Sequence, residues 1–542
     1  MARYNTKTVA PRAPRVKSYI STNEVSTAKT YNSGAGFERD AKSKLFLLGV
    51  SSFNEDTYYE SANLQMTRVK ELVSKVLESD DGVAWLAGFT KWLRADANMR
   101  SMSIAIALVT AKTMLDQGVT GSRSIVSNVL QRADEPAEAI GYWYTNYGRK
   151  LPQPVKRGIA DAAKRLYNER SVFKYDSDSK AIRFADVIQL VHPDPSSLKQ
   201  SAVFKFALDR RYNDKALPTV KVKGRDGEIV EFTLNVAAER EKVKSLGGVE
   251  LRKLANEGKL TEYLKSSGMT WESLSSIIDG GMDAKAWEAV IPTMGYMALL
   301  RNLRNFLNAG VSTEVLDQIA ARIADPDEVA KSKQLPFRFW SAYKETEHSN
   351  QFSLAIERAF DASLVNVPAL SGRTLILVDM SGSMWGRMSA KSDLMRHDAA
   401  ALFGAALAKR ADEADLVRFG SGSEAIKFTK STSVLKLKDK LTKDLGGTDL
   451  GGALTKHYKG HDRVIILTDE QYDPVYNIYW NPVDPSTIVP DKPIFVCNLT
   501  VYKPAGMGQP NVYTAGGLSD AAFGFIDLVE RSVNHDWPWL DK

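Results

Sequence analysis

An apolar run that ends abruptly in an acid is the feature that most constrains this chain. Leu375, Ile376, Leu377 and Val378 are followed by Asp379, Met380, Ser381, Gly382, Ser383 and Met384. Four aliphatic residues in succession, without polar alternation, predict a strand buried on both faces, as in a parallel sheet. Its carboxyl end delivers Asp-x-Ser-x-Ser into a loop. Two later segments extend the pattern. Gly446-Gly447-Thr448-Asp449 offers a hydroxyl on a glycine turn, and Val464-Ile465-Ile466-Leu467-Thr468-Asp469 is a second apolar run ending in an acid. Oxygen donors converging from three segments suit a hard cation such as Mg2+. A helix cap would account for the first segment but not for the other two.

In order, spacing and strand context, Asp379, Ser381, Ser383, Thr448 and Asp469 resemble the metal-ion-dependent adhesion site of a von Willebrand factor A domain. The resemblance implies a divalent cation, Mg2+, as cofactor. Asp379, Ser381 and Ser383 would bind it directly, Thr448 and Asp469 directly or through water, and one position would stay open for a partner's carboxylate. From about residue 370 strands and helices alternate. Strands are expected at Thr374–Asp379, Leu416–Gly420, Ile426–Phe428, Arg463–Asp469 and Ile494–Thr500. Helices are expected at Asp393–Ala408, Val434–Asp444, Leu450–His457 and Asp520–Val533. That alternation predicts a doubly wound α/β domain over residues 369–542, with ligands at the carboxyl ends of its strands.

The whole chain, 542 residues with 44% hydrophobic and 25% charged, has ordinary globular composition and is too long for one core. Its single cysteine, Cys497, lies in the apolar run Ile494-Phe495-Val496 and is expected to be a buried strand residue. An internal disulfide is impossible, which fits a reducing compartment. The first twenty residues are polar and basic, unlike a signal peptide, and no apolar stretch is long enough to span a membrane. The expectation is a soluble, cytoplasmic protein with no membrane partner.

Charge is unevenly distributed. Residues 1–360 hold 52 Lys and Arg against 43 Asp and Glu, whereas residues 361–542 hold 20 against 22. Within the first part, residues 149–225 hold 18 basic against 8 acidic side chains, a balance of +10 that exceeds the +7 of the whole chain. Such clustering is the footprint of a polyanion partner, although a solvated basic face would look the same.

Residues 1–35 read as a flexible basic arm containing Pro11, Pro14 and several Lys and Arg. Residues 36–368 read as mainly helical. Leu64, Val69, Leu72, Val73 and Val76 form one stripe, Val83 through Leu93 mark the next helix, and Ile104 through Leu115 is apolar enough to be buried. Breaks fall near Gly82, Gly118, Pro136, Pro152 and Pro193. Short turns between successive helices suggest a helical-repeat solenoid, without a clean sequence period. Thr219 to Asn235 reads instead as a surface β-hairpin around Gly224-Arg225-Asp226-Gly227.

The helical part also carries an ordered series of landmarks. Leu299-Leu300-Arg301-Asn302-Leu303, after Pro292 through Ala298, resembles a signature of the TROVE module of Ro autoantigen proteins. Leu335-Pro336-Phe337 with Ala342-Tyr343, Lys150-Leu151-Pro152 with Lys164 through Glu169, Leu190-Val191-His192-Pro193, and Gly49 with Thr57-Tyr58-Tyr59 look like further landmarks, in family order. Together with the A-type domain they resemble a Ro family member of bacterial or phage-like type. The resemblance implies an α-helical HEAT-like repeat ring, monomeric and sealed by the α/β domain. It implies small noncoding Y-like RNA on a basic outer surface, and structured or misfolded RNA whose single-stranded ends enter the hole. It also implies an exoribonuclease partner such as polynucleotide phosphorylase. The family's RNA-contacting region maps onto Arg149, Lys150, Lys164, Arg165, Lys174, Lys180, Arg183 and His192. Two departures stand out: the 219–235 hairpin looks like an insertion, and Asp176 and Asp178 acidify a stretch that is usually basic.

Lysines and arginines here would neutralise phosphates, and His192 could stack on a base or simply end a helix before Pro193. Tyr142, Trp143, Tyr144 and Tyr147 are read as helix-packing aromatics in preference to a stacking platform. Arg301 and Arg304 could line the hole or pair with an acid. His457 and His461 have metal-pair spacing, but Gly460 between them favours a surface loop. No Walker A, His-Glu-x-x-His or Gly-x-Ser-x-Gly motif occurs, so the chain reads as a binding protein. The rivals are a protein-interaction scaffold using the metal site, and a metal-dependent nuclease using Asp379 and Asp469.

Overall fold

In a computed structural model, the described residues are 39–51, 62–213, 216–224, 227–388, 394–469, 482–490, 492–499, 511–516, 520–530, 537 and 539, with short strand pieces at 28–29, 35–36 and 475–476. The expected arm over 1–35 and the Thr57-Tyr58-Tyr59 landmark lie outside these residues, apart from the two short strands.

Among the described residues, twenty α-helices lie between Ala41 and Ser363. Each packs mainly on neighbours close in sequence, as a repeat array requires. Arg100–Asp116 lies against Ser122–Val129, which lies against Gln153–Leu166, which in turn meets Phe184–Val191 and then Leu198–Tyr212. Arg100–Asp116 is enclosed on nearly all sides from Met102 to Ala111, as its apolar sequence predicts. Gln153–Leu166 is instead two-faced. Val155, Gly158, Ile159, Ala162 and Ala163 are buried, and Arg157 faces outward. Gly158 is required there: a Cβ would stand 2.6 Å from the Arg123 carbonyl oxygen of the neighbouring helix. The hairpin is observed, with Thr219–Lys223 antiparallel to Ile229–Thr233 and packed on Leu198–Tyr212.

Beyond Asn366 the chain enters a six-stranded sheet. Its spatial order is Val512–Gly516, Ile494–Asn498, Arg463–Thr468, Leu370–Asp379, Ala411–Phe419 and Ser423–Ala425, parallel except for the last strand. This is the doubly wound order, and the direction of winding reverses between Leu370–Asp379 and Arg463–Thr468. Two expectations need correction. The edge strand is Ser423–Ala425 and not Ile426–Phe428, because pairing with Val417–Phe419 sets the register at the turn. Val512–Gly516 is a sixth strand that the sequence reading omitted.

The α/β domain touches both ends of the helical array. On one side Pro336–Thr346 and Asn350–Ser363 pack on Arg396–Arg410 and Val434–Leu441. Phe337 stacks on Phe403, and Lys409 pairs with Asp361 at 2.9 Å. On the other side the first helix, Ala41–Ser51, packs against Asp520–Glu530 and Val512–Gly516, and Arg39 donates to the Val512 carbonyl at 2.7 Å. Trp537 and Trp539, stacked on each other at 5.4 Å, complete this seam. They meet Phe46 and Trp85, while Trp539 also meets Phe89 and Trp92. The helical array is thereby closed on itself through the α/β domain.

Gly88 is the floor of the tryptophan seat, since a Cβ there would lie 2.2 Å from Trp539 Cδ1. Gly88→Ala is expected to expel that ring, cost about 1–3 kcal/mol in urea denaturation, and shift tryptophan emission to the red. An unchanged midpoint and spectrum would show that the seam tolerates loss of this contact.

Candidate functional site

The switch in winding direction puts the two acid-terminated strands side by side. Leu375 through Val378 are fully buried, and the chain turns immediately after Asp379. Ser381 N–H donates to Asp379 Oδ1 at 2.9 Å and Thr468 Oγ1 donates to Oδ2 at 2.6 Å, fixing the carboxyl group. Ser381 Oγ and Ser383 Oγ lie 3.2 Å apart. The glycine turn is stitched to this loop: Gly382 N–H donates to the Gly446 carbonyl at 2.7 Å, and Leu445 N–H to that of Met380 at 2.9 Å. Gly446 has φ of 74°, a left-handed conformation that glycine adopts without strain. Asp379, Ser381, Thr448 and Asp469 are all buried. Asp449 is not a further candidate, because its carboxylate caps the helix Leu450–His457 through Gly452 N–H at 2.8 Å.

Burial pushes the Asp379 carboxyl up to about 6, against the hydrogen bonds from Thr468 and Ser381, with the nearby Asp469 charge adding to the rise. Two buried acids and a group of hydroxyls, with no nitrogen or sulfur donor, fit a hard divalent cation. Among the described residues no three His, Cys, Asp or Glu side chains converge on one point, so hydroxyls would have to complete the shell. The sequence reading missed Arg396 and Thr468. Thr468 adjoins Asp469 and was within reach of inspection. Arg396 carries no motif; it arrives through the start of the helix Arg396–Arg410, where Nη1 reaches the Ser383 carbonyl at 3.1 Å and Asp469 Oδ2 at 3.3 Å.

The eight basic-window residues separate into two kinds. Arg149, Lys150, Lys174 and Lys180 are exposed, as is His192, which ends its helix with φ of 48°. Trp143 Nε1 donates to the Lys150 carbonyl at 3.1 Å and pins that loop. Lys164, half-buried, reaches Asp194 at 3.4 Å, which brings it beside the His192 turn. Arg149 and Lys150 precede the 14-residue helix Gln153–Leu166 and Lys164 ends it, so the group spans about 20 Å. The other two are committed to the fold. Arg165 donates to the carbonyls of Ser127 at 2.9 Å and Leu130 at 2.6 Å, capping the neighbouring helix. Arg183 is buried between Asp176 at 2.9 Å and Asp178 at 2.7 Å, and donating to the Asp176 carboxylate raises its pKa further. The acids that looked like a departure in charge are thus partners of Arg183. An open cavity lined by Gly121, Arg123, Ser124, Ser127, Asn128 and Asp161 adjoins the Arg165 anchor and went unread in the sequence.

Other candidates resolve on geometry. Trp143 is buried and Tyr142, Tyr144 and Tyr147 are half-buried, as packing aromatics. Arg304 pairs with Glu345, while Arg301 is exposed. The surface-loop expectation for His461 is corrected: the ring is fully buried, accepts from Lys459 N–H at 3.2 Å through Nδ1, and donates through Nε2 to Asp415 at 2.7 Å. His457 meets Ser423 Oγ instead, so the two do not form a metal pair. Cys497 is buried, and burial pushes its thiol up to about 12, far from a nucleophile's range.

The Asp379 value gives a stability prediction for protein kept in chelator. Its folded value of about 6 exceeds the roughly 3.9 of an unfolded aspartate. The associated stability is complete below about pH 4 and is lost as pH rises through about 6. Relative to Asp379→Asn, the wild-type chain is expected to lose about 3 kcal/mol between roughly pH 4 and pH 7 in denaturant titrations. A pH-independent difference would contradict the burial argument.

A family model described as the TROVE domain matches residues 264–351, which include the Leu299–Leu303 signature. The RNA-binding protein RO60 of Caenorhabditis elegans is 25% identical over 327 residues, covering 52% of this chain and 50% of that protein. Telomerase protein component 1 of Mus musculus is 37% identical over 76 residues, 14% of this chain and 3% of that protein. The chain therefore spans half or less of the length of these relatives. The crystal structure of the Deinococcus radiodurans RO (RSR) protein superposes with a TM-score of 0.66 at 17% identity, covering 90% of this chain and 99% of that one, a likeness of fold. The chain thus carries a segment similar to the TROVE domain and a fold similar to that of the Deinococcus radiodurans RO protein.

Proposed function

We propose that the chain is a Ro-type RNA-binding protein that scaffolds a small noncoding, Y-like RNA on its basic outer face. Structured RNAs with loose single-stranded ends would be captured through the ring, for an exoribonuclease partner in the cytoplasm. The supporting observation is the row Arg149, Lys150, Lys164, Lys174 and Lys180 with His192. It remains solvent-facing or half-buried after Arg165 and Arg183 have been used by the fold. Such a row neutralises phosphates without reading sequence, so affinity would fall steeply with salt. The similarity to RO60, an RNA-binding protein by name, points the same way.

The second element of the reading is an adhesion-type metal site. Asp379, Ser381, Ser383, Thr448 and Asp469 would hold Mg2+, which would accept a carboxylate from a protein partner. Trp385, exposed beside the loop with its ring 4.1 Å from that of His397, gives such a partner an apolar foothold. This favours the interaction-scaffold role as a companion to RNA binding. The reading is a non-enzymatic one.

The test is charge reversal at positions that do not anchor neighbouring helices. Lys150→Glu, Lys164→Glu and Lys174→Glu combined are expected to weaken binding of a stem-loop RNA at least tenfold at moderate salt. The slope of log affinity against log salt should fall by about 3. Unchanged affinity and slope would remove this face from the proposal. Arg165→Glu and Arg183→Glu are expected instead to lower folding stability, read by thermal unfolding without RNA.

A further inference from the structure

Arg396 is an expensive residue to keep where it stands. It is the first residue of the helix Arg396–Arg410, the end where the peptide dipoles oppose a positive charge. Its Nε is buried without a hydrogen-bond partner among the described residues. The residue is nonetheless closely surrounded. Its backbone N–H donates to the Gly386 carbonyl at 2.9 Å, and a Cβ on Gly386 would lie only 3.4 Å from the guanidinium Cζ. What offsets these penalties is on the far side of the loop: Nη1 lies 3.1 Å from the Ser383 carbonyl and 3.3 Å from Oδ2 of the fully buried Asp469. One cationic side chain thus bridges two of the three segments that carry the candidate metal ligands. It places its charge on one of the two acids that the ion would need.

The geometry points to Arg396 as a tethered counter-cation for the metal site: it neutralises Asp469 in the ion-free protein, and a divalent ion must displace it in order to bind. This inference rests on the metal reading above and adds to it a residue that sets affinity and occupancy. A buried carboxylate left without any cation is strongly disfavoured, so an ion-free site needs such a partner to stay folded. The same pairing weakens the ion's hold, because loading the site trades one cation for another. The site would fill at high divalent concentration and stand closed by its own arginine at low concentration. Arg396 is a positioning residue here and not a ligand.

The experiment is Mn2+ and Mg2+ titration of the full chain by calorimetry, with thermal unfolding in chelator and in metal as a second readout. Arg396→Gln, which keeps a planar polar end without the charge, is expected to tighten Mn2+ binding at least tenfold. It is also expected to lower the unfolding temperature in chelator, with recovery on adding metal. Arg396→Lys, which retains charge on a different reach, should tighten binding less, and it carries the test if Arg396→Gln does not fold. Ion binding by the variant where the wild type shows none would also support the inference. Wild-type binding with unchanged or weaker affinity in both variants would overturn it while leaving the metal site standing. Absence of binding at millimolar ion in wild type and variants alike would overturn both.

Discussion

The structure depends on a seam that joins residues nearly five hundred positions apart. A helical array presents an apolar face at each end, and something has to cover it. Here Leu45, Phe46, Trp85, Phe89 and Trp92 would be uncovered at the first end without Asp520–Glu530, Trp537 and Trp539. Burying one large apolar side chain is worth roughly 1.5–3 kcal/mol, so an aromatic cluster of this size is comparable with the net stability of a whole domain. The opposite end is covered by the same α/β domain through Phe337 and Phe403. One hydrophobic cluster accordingly runs from Leu45 through the last helices into the sheet, while residues 104–237 build a separate core of their own. The second core carries the basic row, and the shared one supports the candidate metal site.

That division separates two kinds of electrostatic problem. The basic group is gathered around the amphipathic helix Gln153–Leu166, which Val155, Ile159 and Ala162 anchor on one side, and most of its charges are exposed. Exposed lysines cost the fold little and are available to a polyanion. The metal site is the opposite case. Asp379 and Asp469 are buried at the ends of strands whose aliphatic runs leave them no water, so each acid has to find a local partner. Thr468, Ser381 and Arg396 are among those partners. The topology creates the demand, because a doubly wound sheet brings the ends of its first and fourth strands together where the winding reverses.

Much of this was legible in the sequence for simple reasons. Leu375–Val378 and Val464–Leu467 are unalternated aliphatic runs, and only a buried strand satisfies them. The hairpin was marked by its Gly-Arg-Asp-Gly turn. Helix boundaries followed Pro152, Pro193 and Gly82. What was not legible depends on partners distant in the chain. Ser423–Ala425 and Val512–Gly516 are short edge strands whose register is set by Val417–Phe419 and Ile494–Asn498, not by their own composition. Arg165 and Arg183 look like any surface arginine until the Ser127 and Leu130 carbonyls and Asp176 are placed beside them. His461 was misjudged because Asp415, its partner, is 46 positions away. The seating of Trp539 over Gly88 has no local signature at all, since a glycine in a helix reads as a defect until the ring it accommodates is known.

The measurement that bears most directly on the central claim is to purify the intact protein gently from its native cells and sequence the nucleic acid that accompanies it. The account predicts one or a few abundant small structured RNAs, released by raising the salt because phosphate contacts hold them. Protein partners co-purifying with no enriched RNA would contradict it and leave the interaction-scaffold reading in its place.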